Sequence, residues 1–210
     1  MSVMAGVRVG PQEGLRDVLP QVYVDLCLKS DALREWCLYL VGRGRRPATG
    51  LPPELLDLIR YLLEHGVIDR NRLREIGPDI ADAVIKELRH SISEVRGGLV
   101  SRRPEVVEGR LRELVEKVGK LAPVVRAAVG EPELVVKEVA RTELRPDLAE
   151  EVGKLVGRPA KEAEPQIKAI TEKIVRAELA TQEEVASRMY KVEAGKETLQ
   201  AVRPKAELRK

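Results

Sequence analysis

The chain has 210 residues and carries 37 basic against 34 acidic side chains, a net charge of +3. A chain of one or two domains at this length buries roughly 70% of its unfolded surface, and so even a balance excludes a wholesale polycation that binds nucleic acid by bulk charge alone. Charged residues make up 34% of the sequence, phenylalanine is absent, and Asn71 is the only asparagine. Abundant Lys, Arg and Glu with almost no thermolabile amide resembles a hyperthermophile's protein, in which surface ion-pair networks become more favourable on heating.

Residues 1–11 read as a loose arm or as a strand laid on a partner, and residues 1–50 as an N-terminal region of arm, helix and basic loop. The start lacks the basic-then-apolar order of a signal peptide, so the protein is expected not to be secreted. From Leu15 to Val41 the pattern is helical, in one or two pieces, with Pro20 and Ser30 as possible starts. Val22, Leu26, Leu33, Trp36 and Leu40 fall on one face, and Trp36 reads as a core anchor rather than a stacking platform. Cys27 and Cys37 are the only cysteines. On one continuous helix they would lie ~15 Å apart, beyond disulfide reach, and they meet only if the chain breaks near Ser30. The expectation is two buried thiols acting as small hydrophobes.

The stretch Gly42-Arg43-Gly44-Arg45-Arg46-Pro47 follows. Glycines let a backbone hug a narrow surface while guanidinium groups reach outward. It is similar to the arginine-glycine-arginine-proline core of AT-hook peptides, with one extra arginine, and such arginines read minor-groove width more than sequence. No strand precedes it and no Gly-Lys-Ser/Thr follows, so it is not a phosphate-binding P-loop.

Residues 51–103 form the centre of the reading. Leu55, Leu58, Ile59, Leu62 and Leu63 make one apolar stripe after Pro52-Pro53, and the helix stops at Gly66. Asp69 can cap a short helix carrying Leu73 and Ile76, and Gly77-Pro78 turns the chain. A third helix starts near Asp79 with Ile80, Val84, Ile85 and Leu88 on one face. Gly97-Gly98, between short apolar runs, predicts a two-residue hairpin. Helix, helix, turn, helix and hairpin is the layout of a winged helix-turn-helix. Its third helix would present Asp79, Asp82, Lys86 and Glu87 to a groove, and carboxylates there repel phosphate.

Residues 104–194 read as a helical assembly region. Val107, Leu111, Leu114, Val118 and Leu121 recur at 4-3-4-3, a seam suited to one partner helix. Pro123, Pro132 and Pro146 set off further short helices, with Leu148, Val152 and Leu155 on one face. Pro165 begins the longest helix, to about Glu193, with a thin stripe of Ile167, Ile170, Ile174, Val185 and Met189; such a helix lies on a surface or bridges to a neighbour. Residues 195–210 are a polar, basic tail.

Little chemistry is on offer. His65 and His90 sit where helices are expected to end, which suits a cation at the negative end of the dipole. No close Cys/His spacing marks a metal site, and no metal or cofactor is expected. Acidic residues alternate with basic ones, as in Glu113/Lys117 and Glu133/Lys137, which read as helix-face pairs. Four tyrosines and one tryptophan are too few aromatics for a reader that stacks single-stranded bases. No run of eighteen apolar residues spans a membrane. An enzyme is not expected.

Tyr61-Leu62-Leu63-Glu64-His65-Gly66-Val67-Ile68, then Asn71-Arg72, then the helix through Ile80, Val84, Ile85 and Leu88 resembles the helix-turn-helix core of coat proteins from filamentous and rod-shaped viruses of hyperthermophilic archaea. The resemblance spans about thirty residues. It implies an all-α subunit that wraps linear double-stranded DNA in the A form and builds filaments from homodimers or heterodimers, and hence a location in a virion; without it, the cytoplasm is the expectation.

The reading is therefore an all-α fold with a helix-turn-helix core, a possible β-hairpin wing, a set of short C-terminal helices and one long helix. The expected function is a sequence-independent coat on double-stranded DNA, oligomeric with itself or a related helical subunit. The alternatives are a winged-helix regulator or a helical scaffold without nucleic acid. The expected phosphate contacts are Arg43, Arg45, Arg46, Arg70, Arg72, Arg74, Arg102, Arg103, Arg203 and Lys205.

Overall fold

Prolines and two capping side chains set most of the helix starts in the computed structural model, which describes residues 10–100 and 103–201. The elements are α1 (Pro11–Arg16), α2 (Gln21–Cys27), α3 (Asp31–Leu40), a 3₁₀ turn (Pro53–Leu55), α4 (Leu56–Glu64), α5 (Arg70–Glu75), α6 (Gly77–Val100), α7 (Pro104–Ala128), α8 (Pro132–Glu143), α9 (Pro146–Val156) and α10 (Ala160–Ala201). Pro11, Pro53, Pro104, Pro132 and Pro146 stand in first turns, where the missing N–H is not needed. Ser30 Oγ accepts from the Leu33 N–H at 3.2 Å, and Asp69 from the Asn71 N–H at 3.3 Å. The fold is all-α, with no strand among the described residues.

Two glycines end helices by the same device. Gly42 (φ 81°) and Gly66 (φ 65°) are left-handed. After α3, Gly42 N–H donates to Tyr39 O at 3.0 Å and Arg43 N–H to Leu38 O at 2.8 Å; after α4, Gly66 N–H donates to Leu63 O at 3.2 Å and Val67 N–H to Leu62 O at 2.8 Å. Each pair of bonds satisfies carbonyls that a helix end would otherwise leave bare.

One cluster of buried apolar side chains runs from Leu15 to Ile174. Its axis is α7, which packs against α4, α6, α8, α9 and α10. The seam of Val107, Leu111, Leu114, Val118 and Leu121 is buried, but Val115, Val124 and Val125 join it. That widens the stripe beyond what a single partner helix needs, and α7 is accordingly covered from several sides.

Several expectations are corrected. The Gly97-Gly98 hairpin does not form: both residues lie in α6, and a Cβ on Gly98 would meet Val106 Cγ1 at 3.3 Å and Val107 Cγ2 at 3.4 Å. The glycine there permits close approach of α7, not a reversal of the chain. Pro123 does not start a helix but sits inside α7. An interior proline costs about 3 kcal/mol, and burying Val124 and Val125 beyond it at roughly 1.5–3 kcal/mol each offsets that. Gly77 and Pro78 belong to the first turn of α6, so His90 lies inside that helix rather than at its end. α10 begins at Ala160, ahead of Pro165, and continues to Ala201, so residues 195–201 are helix instead of tail. Val22 is 69% exposed, because the break after α2 resets the helical phase. Residues 1–9, assigned above to an arm, lie outside the described residues.

The same break brings the two cysteines together. Cys27 and Cys37 form a disulfide with Cα atoms 6.0 Å apart, both fully buried, in place of the expected free thiols. It clasps α2 to α3. α1, α2 and α3 pack chiefly on one another, and specific polar and aromatic contacts tie them to the helices that follow. Tyr23 Oη donates to Asp57 Oδ2 at 2.9 Å and its ring lies 5.0 Å from that of Tyr61; Tyr39 Oη donates to Glu75 Oε2 at 3.3 Å.

Burial first, and then the bond to the Asp57 carboxylate, push the Tyr23 hydroxyl from its ordinary 10.0 up to about 12. Between those values the unfolded chain has lost this proton and the folded chain keeps it. The stabilisation is therefore complete below pH 10 and is lost as pH rises through about 12. Urea midpoints of the wild type should fall more steeply across that window than those of Tyr23→Phe; equal slopes would remove Tyr23 from the account.

Charged side chains bridge helices as well as decorating single faces. Glu113 and Lys117 do not pair with each other: Lys117 Nζ reaches Glu87 at 2.5 Å and Arg110 takes Glu113 at 2.9 Å. Lys137 bonds Glu150 of α9 rather than Glu133. Arg112 grips Glu164 with two bonds of 3.1 and 2.6 Å, fixing the root of α10 on α7.

Candidate nucleic-acid interface

α5 presents arginines at alternate positions, and helical geometry sorts them. Arg70 and Arg74, four apart, share one face, while Arg72 points roughly 200° away. Arg72 turns inward: its Nη1 donates to Leu40 O at 3.5 Å and its guanidinium lies 5.6 Å from the centre of the Tyr39 ring. Arg70 and Arg74 turn outward with Leu73 buried between them, and both are exposed.

These two meet a third arginine from α7. Arg70, Arg74 and Arg126 line a cavity of about 400 Å³ whose apolar wall is Leu63, Leu73, Pro123 and Ala127, with no carboxylate in the lining. Three guanidinium groups around one apolar-walled cavity suit an anion with several oxygens. Arg126 has a carboxylate near it, Glu131, at 3.7 Å, while its side chain stays 61% exposed. Arg70 and Arg74 have no ion-pair partner among the described residues. Sequence reasoning missed Arg126 because it stands alone in an apolar run. The available signal was its place near the end of the seam helix, which is legible only once α7 is known to pass through Pro123.

The loop arginines are differently placed. Arg43 meets Asp17 at 3.4 Å and Arg46 meets Asp79 at 2.5 Å. Asp79, expected at a groove-facing helix start, is thus tied to the loop, and Glu87 is tied to Lys117. Arg45 is exposed and has no ion-pair partner among the described residues, and Arg103 is exposed at the start of α7. Arg102, Arg203 and Lys205 lie outside the described residues.

No protein-family model, no curated protein and no solved structure matches this chain. Among the described residues, no group of three His, Cys, Asp or Glu side chains could hold a metal ion, and no helix is long and apolar enough to cross a membrane. His65 is occupied with its own helix end, its Nδ1 2.9 Å from Tyr61 O and its ring stacked on Tyr61 at 4.0 Å. His90 faces Glu94 at 3.8 Å on an exposed part of α6. What the basic cavity can do is hold the oxygens of an anion by charge and hydrogen bonds.

Proposed function

We propose that this chain is a structural subunit that coats double-stranded DNA by contact with its phosphates and assembles with further copies into a filament, as the coat-protein resemblance implies. The observation that carries the reading is the cavity framed by Arg70, Arg74 and Arg126 without a carboxylate in its lining. The exposed Arg45 and Arg103 extend the set of available cations. Phosphate contacts fix register on a duplex and carry no sequence information, which suits a coat better than a regulator.

Random-sequence duplexes titrated with the protein at 50 and 200 mM salt test this. A subunit that contacts roughly six to ten phosphates loses about 10³–10⁵ in affinity across that range and distinguishes sequences little. Substituting Arg70, Arg74 and Arg126 together by alanine should flatten the plot of log affinity against log salt by about 3, since each phosphate contact contributes close to one. A preference of about 10³-fold for one site would turn the reading to a regulator. Negligible binding at low salt, or a slope unchanged in the triple variant, would overturn it.

A further inference from the structure

We propose that the hollow between α9 and α10 is a separate anion site, fitted to a single phosphate group. Residue spacing on the two helices makes it. Glu151, Lys154 and Arg158 follow one another at intervals of three and four, the spacing of one helix face. Gly157, just past the end of α9, keeps a right-handed backbone (φ −76°, ψ −5°) and so leaves Arg158 close to that face. On α10, Ala169, Ile170 and Lys173 come three, four and seven residues after Gln166, again one face. The two faces line a cavity of about 190 Å³, with buried Ile170 in its wall. Ala169 contributes only a methyl group, which leaves the hollow open.

Three cations and one carboxylate line this cavity, a surplus of two positive charges. Lys173 Nζ holds the carboxylate of Glu151 at 3.3 Å. Lys154 and Arg158 are exposed, and neither has an ion-pair partner among the described residues. Lys154 lies in the field of Glu150, but that carboxylate is bonded by Lys137 and stays out of the lining. Glu133 packs against Gly157 and is likewise outside it. The side-chain amide of Gln166 is half-buried and makes no hydrogen bond among the described residues.

The negative end of α9 accounts for a cation at Lys154. It does not account for an amide and a further cation converging from another helix. Two surplus charges and an open amide suit an ion close to −2 at neutral pH with several acceptor oxygens, which describes a phosphate group. The volume, about half that of the cavity framed by Arg70, Arg74 and Arg126, selects a compact ion. The two cavities share no residue, so this site does not rest on the coat reading. Its phosphate comes either free from solution or from a nucleic-acid backbone.

Calorimetric titration of the full chain with inorganic phosphate tests the site, with Arg70, Arg74 and Arg126 replaced by alanine to silence the other cavity. Phosphate should bind. Lys154→Ala/Arg158→Ala should weaken it by about tenfold or more, while Lys154→Arg/Arg158→Lys keeps it within about threefold. Glu151→Gln, which releases Lys173, should tighten it by about threefold or more, a gain that damage to the fold does not produce. No phosphate binding, unchanged affinity in Lys154→Ala/Arg158→Ala, or no gain from Glu151→Gln would overturn the proposal. Random-sequence duplexes titrated with Lys154→Ala/Arg158→Ala in the otherwise wild-type chain then name the source. A salt slope lower by about 2 assigns the site to the duplex backbone, and an unchanged slope assigns it to free phosphate.

Discussion

Trp36→Ala should cost about 3–5 kcal/mol and lower the melting temperature by roughly 6–20 °C, the largest loss expected from one substitution in the chain. Trp36 is fully buried on α3 and meets the Tyr39 ring edge-on, with centroids 5.9 Å apart and planes at 87°. Alanine would leave a void in a unit of three short helices that has little else to close over it. Trp36→Phe should cost much less, under about 2 kcal/mol, for a specific reason. The indole Nε1 is buried and has no acceptor among the described residues. An unmet donor costs about 1–3 kcal/mol, and phenylalanine lacks it while keeping a ring against Tyr39. Calorimetry on both variants decides the matter: equal losses would mean that the indole N–H is satisfied and that the cavity argument is incomplete.

Breaking Cys27–Cys37 should remove about 3 kcal/mol, the chain-entropy value for so short a loop, and lower the melting temperature by roughly 6–12 °C. Both sulfurs are out of contact with water, so reductant should act slowly on the folded protein and quickly once it opens. Thermal unfolding of Cys27→Ser/Cys37→Ser, compared with protein unfolded and refolded in reductant, measures the same loss twice. Identical melting temperatures with and without the bond would show that α2 and α3 hold each other without it.

Much of the fold was legible because a buried stripe repeats every three to four residues whether or not the helix ends are known. Leu58, Ile59 and Leu62 on α4, Ile80, Val84 and Leu88 on α6, and the α7 seam all went where their spacing put them. What misled was punctuation. Gly97-Gly98 and Pro123 are signals for turns, and tertiary packing overrode both: one glycine lets two helices approach, and the other site is held by burial on either side. Cysteine pairing failed for a related reason. The cap at Ser30 was visible, but whether it interrupts the helix depends on what α2 and α3 pack against. As for the interface, sequence could find arginines but not their partners. Asp17 and Asp79 are 26 and 33 residues from the arginines they engage, and no local pattern joins them. Alternate spacing on α5 was informative only after the helix was in place, when it separated Arg72 from Arg70 and Arg74.

The position of the one covalent bridge has a further consequence. The first three helices are too short to enclose much of an interior of their own, and their buried side chains only extend the cluster that runs on to Ile174. A cross-link in so small a piece substitutes for the oil that larger pieces acquire by bulk. The bulkier assembly around α7 needs no such stitch, so heat and reductant should find different weak points in the same molecule.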